Sequence, residues 1–212
     1  MSKYELTSTT ITFYEHTLHQ IRALKDFSNV KTGDLGGYIE KEENLSQIGN
    51  CWVYGQAKVY GDAWVSGDAQ VYGDALVYGN TRVYGKAQVY DDAQVCGEAQ
   101  VCGQAKVFGK AQVFGNAKVF GNAYVYENAQ VYGKAVVSGQ AYVCGQAYVY
   151  GNSEITKGIG SITFIDLKID NNNNDPIKAI ENFLKEHVDL LPLLINKDDI
   201  LKSIALKLMQ KI

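Results

Sequence analysis

Residues 53–154 read VYGQAK VYGDAW VSGDAQ VYGDAL VYGNTR VYGKAQ VYDDAQ VCGEAQ VCGQAK VFGKAQ VFGNAK VFGNAY VYENAQ VYGKAV VSGQAY VCGQAY VYGNSE, seventeen hexads without an insertion. The first position is always Val, and the fifth is Ala except at Thr81 and Ser153. An internal repeat this strict outranks every other structural signal in a chain. Read as Ala-x-Val-Tyr followed by Gly-x, it alternates with period 2, so Ala and Val share one side and x and Tyr the other. Gly holds the third position except at Asp91 and Glu127, and the fourth is mostly Asp, Asn, Gln or Lys. These are residues suited to a sharp bend with positive φ. Each hexad is therefore a short strand followed by a corner.

Corners this frequent return the same small residues to the same interior, so the chain must coil into a solenoid. Three hexads make one triangular turn, and turns stack at about the 4.8 Å strand spacing, giving about six coils in a rod of roughly 27 Å. The fold class is all-β, a single-stranded parallel β-helix with a dry column of Val and Ala.

The hexads resemble the hexapeptide-repeat superfamily of left-handed parallel β-helices, in which an aliphatic residue and a small residue four places later line the interior. Here an aromatic stands where the superfamily usually has its small residue, and the Gly comes one place later. The upstream stretch is similar to the N-terminal region of a group of hexapeptide-repeat proteins of bacteria and prophages. Its marks are Gly33, Asp34, Leu35, Gly36, Gly37, Tyr38, Ile39, Glu40, Asn44, Leu45, Trp52 and Val53. The resemblance implies left-handedness and packing as a homotrimer, and its members carry loose labels such as transferase or polymer-forming protein.

A solenoid leaves raw strand edges at its ends, so caps are expected. Residues 1–46 read as an N-terminal β cap, with a strand-like stretch followed by turns at GDLGG and NLSQIGN. The β-helix is assigned to 47–160, and a terminal strand, SITFIDLKID, with an Asn-rich linker to 161–174. Residues 175–212 read as a C-terminal helical tail: Asp175 and Pro176 open one helix, and Ile200, Leu201, Ile204, Leu208 and Met209 share a face of a second. That face suits either a lid on the last coil or oligomer and partner docking.

Residues eighteen apart should stack along the outside of the rod. The first ladder is Tyr54, Tyr72, Tyr90, Phe108, Tyr126, Cys144, and the second Tyr60, Tyr78, Cys96, Phe114, Tyr132, Tyr150. The third, Ser66, Tyr84, Cys102, Phe120, Ser138, is interrupted at both ends. Aromatic ladders either only stabilise neighbouring coils or also offer a flat contact face for a protein, a sister subunit or sugar rings. Ice binding would call for Thr ladders, which the hexads lack.

Other classes of function find little support. The formal charge of −3 and a pI near 5.6 give no electrostatic footprint for nucleic acid. No apolar run reaches the length of a membrane span, and no signal-peptide pattern opens the chain, so a cytoplasmic protein is expected. Cys51, Cys96, Cys102 and Cys144 form no CxxC pair, so neither a disulfide nor a metal site is expected. Asp91, Asp92 and Glu127 share a corner column, but Lys110 stands between them, which favours a solvated ion pair over a cation site. GDLGG lacks the ending of a phosphate loop and reads as a turn. The hexads contain no His. If the chain were an acyltransferase, as some hexapeptide-repeat proteins are, its base would be His16 or His19, oriented by a carboxylate such as Glu15 or Asp34. The leading expectation is a non-enzymatic binding or scaffold protein without cofactor. It would act on a protein partner or itself through its aromatic faces and helical tail, in one form as a phage-encoded inhibitor of a host system. The alternative is the acyltransferase.

Overall fold

Each hexad contributes one rung in which Val and Ala turn inward, because the space where three walls converge favours small and mostly apolar side chains. In the computed structural model, which describes residues 2–156, every repeat Val from Val53 to Val137 is 0% exposed. The rungs form three parallel walls with a register of eighteen residues. The first runs from Trp52–Val53 to Tyr142–Val143, the second from Lys58–Val59 to Tyr148–Val149, and the third from Trp64–Val65 to Glu154–Ile155. Successive coils are joined by backbone hydrogen bonds, as from Lys58 N to Ala75 O (2.9 Å) and from Tyr60 N to Val77 O (3.1 Å).

Corner glycines of the repeat have φ between 59° and 75°. Asp91 and Glu127, which replace Gly, adopt the same left-handed backbone at 57° and 60°. Each uses its carboxylate to accept a hydrogen bond from the glycine one coil later: Gly109 N to Asp91 Oδ2 at 3.2 Å, and Gly145 N to Glu127 Oε2 at 2.6 Å. The two acids are thus tied into the corner column. Among the described residues no group of three metal-ligating side chains occurs.

The parallel ladder starts inside the segment read from sequence as cap. Strand β1 (Tyr4–Phe13) pairs antiparallel with β2 (His16–Ala23), and β2 pairs antiparallel with β3 (Leu35–Ile39). Strand β3 then pairs in parallel with Lys58–Val59. Leu45 bridges Val65 in the third wall, so Ile39 and Leu45 already occupy Val positions of the repeat. With this extra coil the second wall has seven parallel rungs, one more than the hexads alone supply.

GDLGG is a correction to the sequence reading, since only its first two residues make a turn. Gly36 and Gly37 lie within β3, where a Cβ on Gly36 would come 2.6 Å from Val53 O and one on Gly37 2.7 Å from Ala57 O. These glycines exist for close backbone approach, a non-local demand that a local pattern does not reveal.

The β1–β2 hairpin covers the raw edge of the second wall, the protection a solenoid end requires. The first wall is sealed from above: Trp52 is buried against Tyr4 (ring centroids 6.0 Å apart) and Phe27 (5.3 Å), both edge-on. Tyr4 Oη donates to Leu45 O at 2.7 Å, and buried Asn44 donates to Ala63 O at 2.8 Å. The expected terminal strand, Asn-rich linker and helical tail, with Ile200, Leu201, Ile204, Leu208 and Met209, lie outside the described residues. Among the described residues no helix is long and apolar enough to cross a membrane.

Candidate interaction faces

The residue after each inward Val points outward just before a corner, so identical positions in successive coils meet at the strand spacing. On the first wall this builds one unbroken stack. Tyr72, Tyr90, Phe108 and Tyr126 follow at centroid distances of 4.7, 4.8 and 5.0 Å, with ring planes within 4° of parallel. Tyr54, at the head of this column, donates its hydroxyl to Asn29 Oδ1 at 2.9 Å. Beside the stack a second pair occupies the sixth hexad position: Tyr124 and Tyr142 lie 5.1 Å apart, with Lys106 Nζ 5.7 Å from the Tyr124 ring. The sequence reading missed this pair, although the eighteen-residue spacing was there to find it.

The second wall is less continuous. Tyr60 and Tyr78 stack at 5.0 Å, Cys96 interrupts, and Phe114, Tyr132 and Tyr150 stack at 4.8 and 5.4 Å. Its N-terminal end is occupied by the hairpin, since Phe13 packs edge-on against Tyr60 at 5.8 Å. The third wall carries Tyr84 and Phe120 on either side of Cys102, and a shallow polar groove of about 550 Å³ lined in part by Arg82, Glu98, Lys118 and Lys134.

The cysteines have a consistent place in these ladders. Cys96, Cys102 and Cys144 each stand one coil after a tyrosine, and their hydrogen bonds with Tyr78, Tyr84 and Tyr126 raise those phenols above the ordinary tyrosine value. All four cysteines are free.

Parallel stacking decides what the ladders can bind. Each inner ring has its faces against its neighbours and shows solvent an edge and, for Tyr, a hydroxyl. Sugar rings that need an open aromatic face find none inside the stack. A protein surface can pack along the row of edges and bond to its hydroxyls.

Packing also shifts the phenols themselves. Burial pushes Tyr60 and Tyr90 up to about 12, and the hydrogen bond with Cys144, then burial, pushes Tyr126 up to about 12. Because folding favours the neutral phenol, this stabilisation is fully present below the ordinary tyrosine value of about 10 and is lost as pH rises through about 12. Spectrophotometric titration should show these rings ionising about two pH units late, as the fold opens. Ionisation of every tyrosine near 10 in the folded protein would contradict the packed ladders.

The two candidate histidines part company. His16 Nδ1 lies 2.8 Å from Glu40 Oε1, and Glu40 also accepts the Gly61 N–H at 2.7 Å. Burial opposes ionisation of Glu40, but these hydrogen bonds outweigh it and hold the carboxyl below the usual glutamate range. The orienting carboxylate is thus Glu40, neither Glu15 nor Asp34, because the β2–β3 pairing brings β3's end alongside the start of β2. An Nδ1–H donated to Glu40 leaves Nε2 as the nitrogen able to take a proton. His19 Nδ1 faces Thr7 O at 3.2 Å, so its ring is engaged within the hairpin.

Known proteins agree with the architecture over a limited stretch. A family model described as the YdcK Beta solenoid repeat matches residues 69–85. The protein "Uncharacterized acetyltransferase YdcK" of Escherichia coli (strain K12) is 51% identical over 39 residues, which cover 18% of this chain and 12% of that protein. With three parallel walls in an eighteen-residue register, the chain is a parallel β-solenoid of the hexapeptide-repeat type, similar in its repeat to the YdcK β-solenoid.

Proposed function

We propose that this chain is a non-enzymatic binding protein and that its contact surface is the first wall. The observation that carries the reading is the unbroken stack from Tyr72 to Tyr126 with the Tyr124–Tyr142 pair beside it. The second wall is broken at Cys96 and partly covered by the hairpin, and the third has a shorter aromatic column. A rigid row of aromatic edges loses little conformational entropy on binding, which favours a protein partner or a second copy of the chain. Association into a homotrimer along parallel axes, and sequestration of a host component, are the specific forms this proposal takes.

The test is affinity capture from native cells, identification of the recovered protein and direct titration against it. Tyr72→Ser with Tyr90→Ser should weaken that binding by about tenfold or more, as for aromatic hot spots, while Phe114→Ser with Tyr132→Ser should leave it nearly unchanged. Unchanged affinity in a folded first-wall variant would remove this face from the reading. Light scattering on the same variants tests self-association.

A second reading is favoured by one observation, the His16–Glu40 pair, which has the geometry of an oriented general base. Under it the chain transfers an acyl group, and the name of the E. coli relative points the same way. Turnover of acetyl-CoA that disappears in His16→Gln and falls in Glu40→Gln would replace the binding-protein reading.

A further inference from the structure

The N-terminal seal contains a buried amine that no stabilising role fully explains. Lys3 is 1% exposed, and its Nζ donates to Cys51 O at 2.9 Å and approaches Cys51 Sγ at 3.2 Å. Its remaining side faces the Phe27 ring, 5.3 Å to the centroid. Both hydrogen-bond acceptors of this cation thus lie on a single cysteine, itself 0% exposed. A buried ammonium without a carboxylate is costly, and Met or Leu would fill the same apolar space. Burial lowers the affinity of the amine for its proton and opposes ionisation of the thiol. Once deprotonated, the amine carries a nucleophilic lone pair and can serve as a base for the thiol, and Cys51 places an oxidisable sulfur 3.2 Å from it.

We propose that Lys3 and Cys51 form an oxidative crosslinking site, in which one oxygen atom joins Nζ to Sγ as a covalent N–O–S bridge. The oxidant is a peroxide. In the first step deprotonated Lys3 Nζ takes the thiol proton, the thiolate Sγ attacks one peroxide oxygen and the O–O bond breaks; the hydroxide that leaves takes that proton back as water, and sulfur is left as a sulfenic acid. In the second, the sulfenic O–H and one N–H give up their hydrogens, the N–O bond forms, and a second peroxide is reduced to two waters. Sulfur and nitrogen together lose four electrons, which the two peroxides accept. The observed gap accommodates one intervening oxygen with little movement, whereas a direct S–N bond would require the atoms to close to bonded contact. Local opening of the seal gives peroxide a route to Cys51, which is 0% exposed in the closed form. The bridge would fasten residues 48 apart and lock β1 onto the first coil.

The experiment treats the folded full-length chain with hydrogen peroxide and maps it by mass spectrometry after Glu-specific digestion. The expected product joins the peptide containing Lys3 to the one containing Cys51, heavier than their sum by one oxygen and lighter by two hydrogens. Dithiothreitol should release it, and Lys3→Met and Cys51→Ser should not form it. Lys3→Met keeps the length and apolar stem that fill the seal, and Trp52 fluorescence confirms that it folds. Should neither variant fold, the wild-type map still decides. Cys51 carrying oxygen without a link, a link lighter by two hydrogens with no oxygen, or an unmodified Cys51 beside oxidised Cys96 and Cys102 would each overturn the proposal.

Discussion

Val101→Asp should unfold the solenoid at ordinary temperature, with a loss of about 4 kcal/mol or more, read as a collapse of the urea midpoint. Val101 is 0% exposed, directly between Val83 and Val119 in the third wall. The interior is a column of Val and Ala whose few hydroxyls are already bonded to backbone carbonyls, so a carboxylate there meets no free donor and no cation. Even protonated, its hydroxyl would be left without a partner. The neighbouring position shows why this is a matter of chemistry and not of size. Thr81 and Ser153 replace Ala, are both buried, and donate their hydroxyls to the carbonyls of Tyr78 and Tyr150, three residues earlier. Ala105→Ser can make the same bond to Cys102 O and should cost no more than about 1 kcal/mol. Equal tolerance of both substitutions would mean that the column is wet. The flat first wall, which needs that column as its backing, would fall with it.

This contrast also shows what is legible in the amino-acid sequence. Strict period six fixes which side chains turn inward, where the corners fall and which rings stack, because each depends only on position within a hexad. Asp91 and Glu127 were visible as exceptions to the corner glycine, but their bonds to Gly109 N and Gly145 N were not. The first coil was hidden for a local reason: eight residues separate Leu45 from Val53 where a hexad has six, and this shift in phase masks Ile39 and Leu45 as repeat positions. The Gly36 contact with Val53 O, the His16–Glu40 pair and the Lys3–Cys51 pair all join residues far apart in sequence. No periodicity encodes them. The candidate contact face was therefore readable because it is periodic, whereas the seal and the candidate base are singular.

The second large effect is expected at that seal. Trp52→Ala should destabilise the N-terminal region by about 3–5 kcal/mol, the range for removing a buried aromatic side chain that leaves a cavity. Trp52 holds the outward sixth position of the repeat pattern, in the same column as Gln70 and Gln88, yet it is 1% exposed because Tyr4 and Phe27 close over it. Trp64 holds the equivalent position two hexads later on the third wall and is 43% exposed. Trp64→Ala should therefore change stability by no more than about 0.5 kcal/mol, as at ordinary surface sites. With the seal loosened, β1 should become susceptible to limited proteolysis, and the freed edges of the first coil should promote association at high concentration. Because each coil contacts only its neighbours, the damage should begin at this end and spread by successive loss of coils, so protease cleavage near Lys25 should precede cleavage beyond Lys86. Simultaneous cleavage at both sites would show that the rod unfolds as a single unit. Similar losses for Trp52→Ala and Trp64→Ala would show that the cap does not close the column, which would also remove the enclosed setting that brings Lys3 against Cys51.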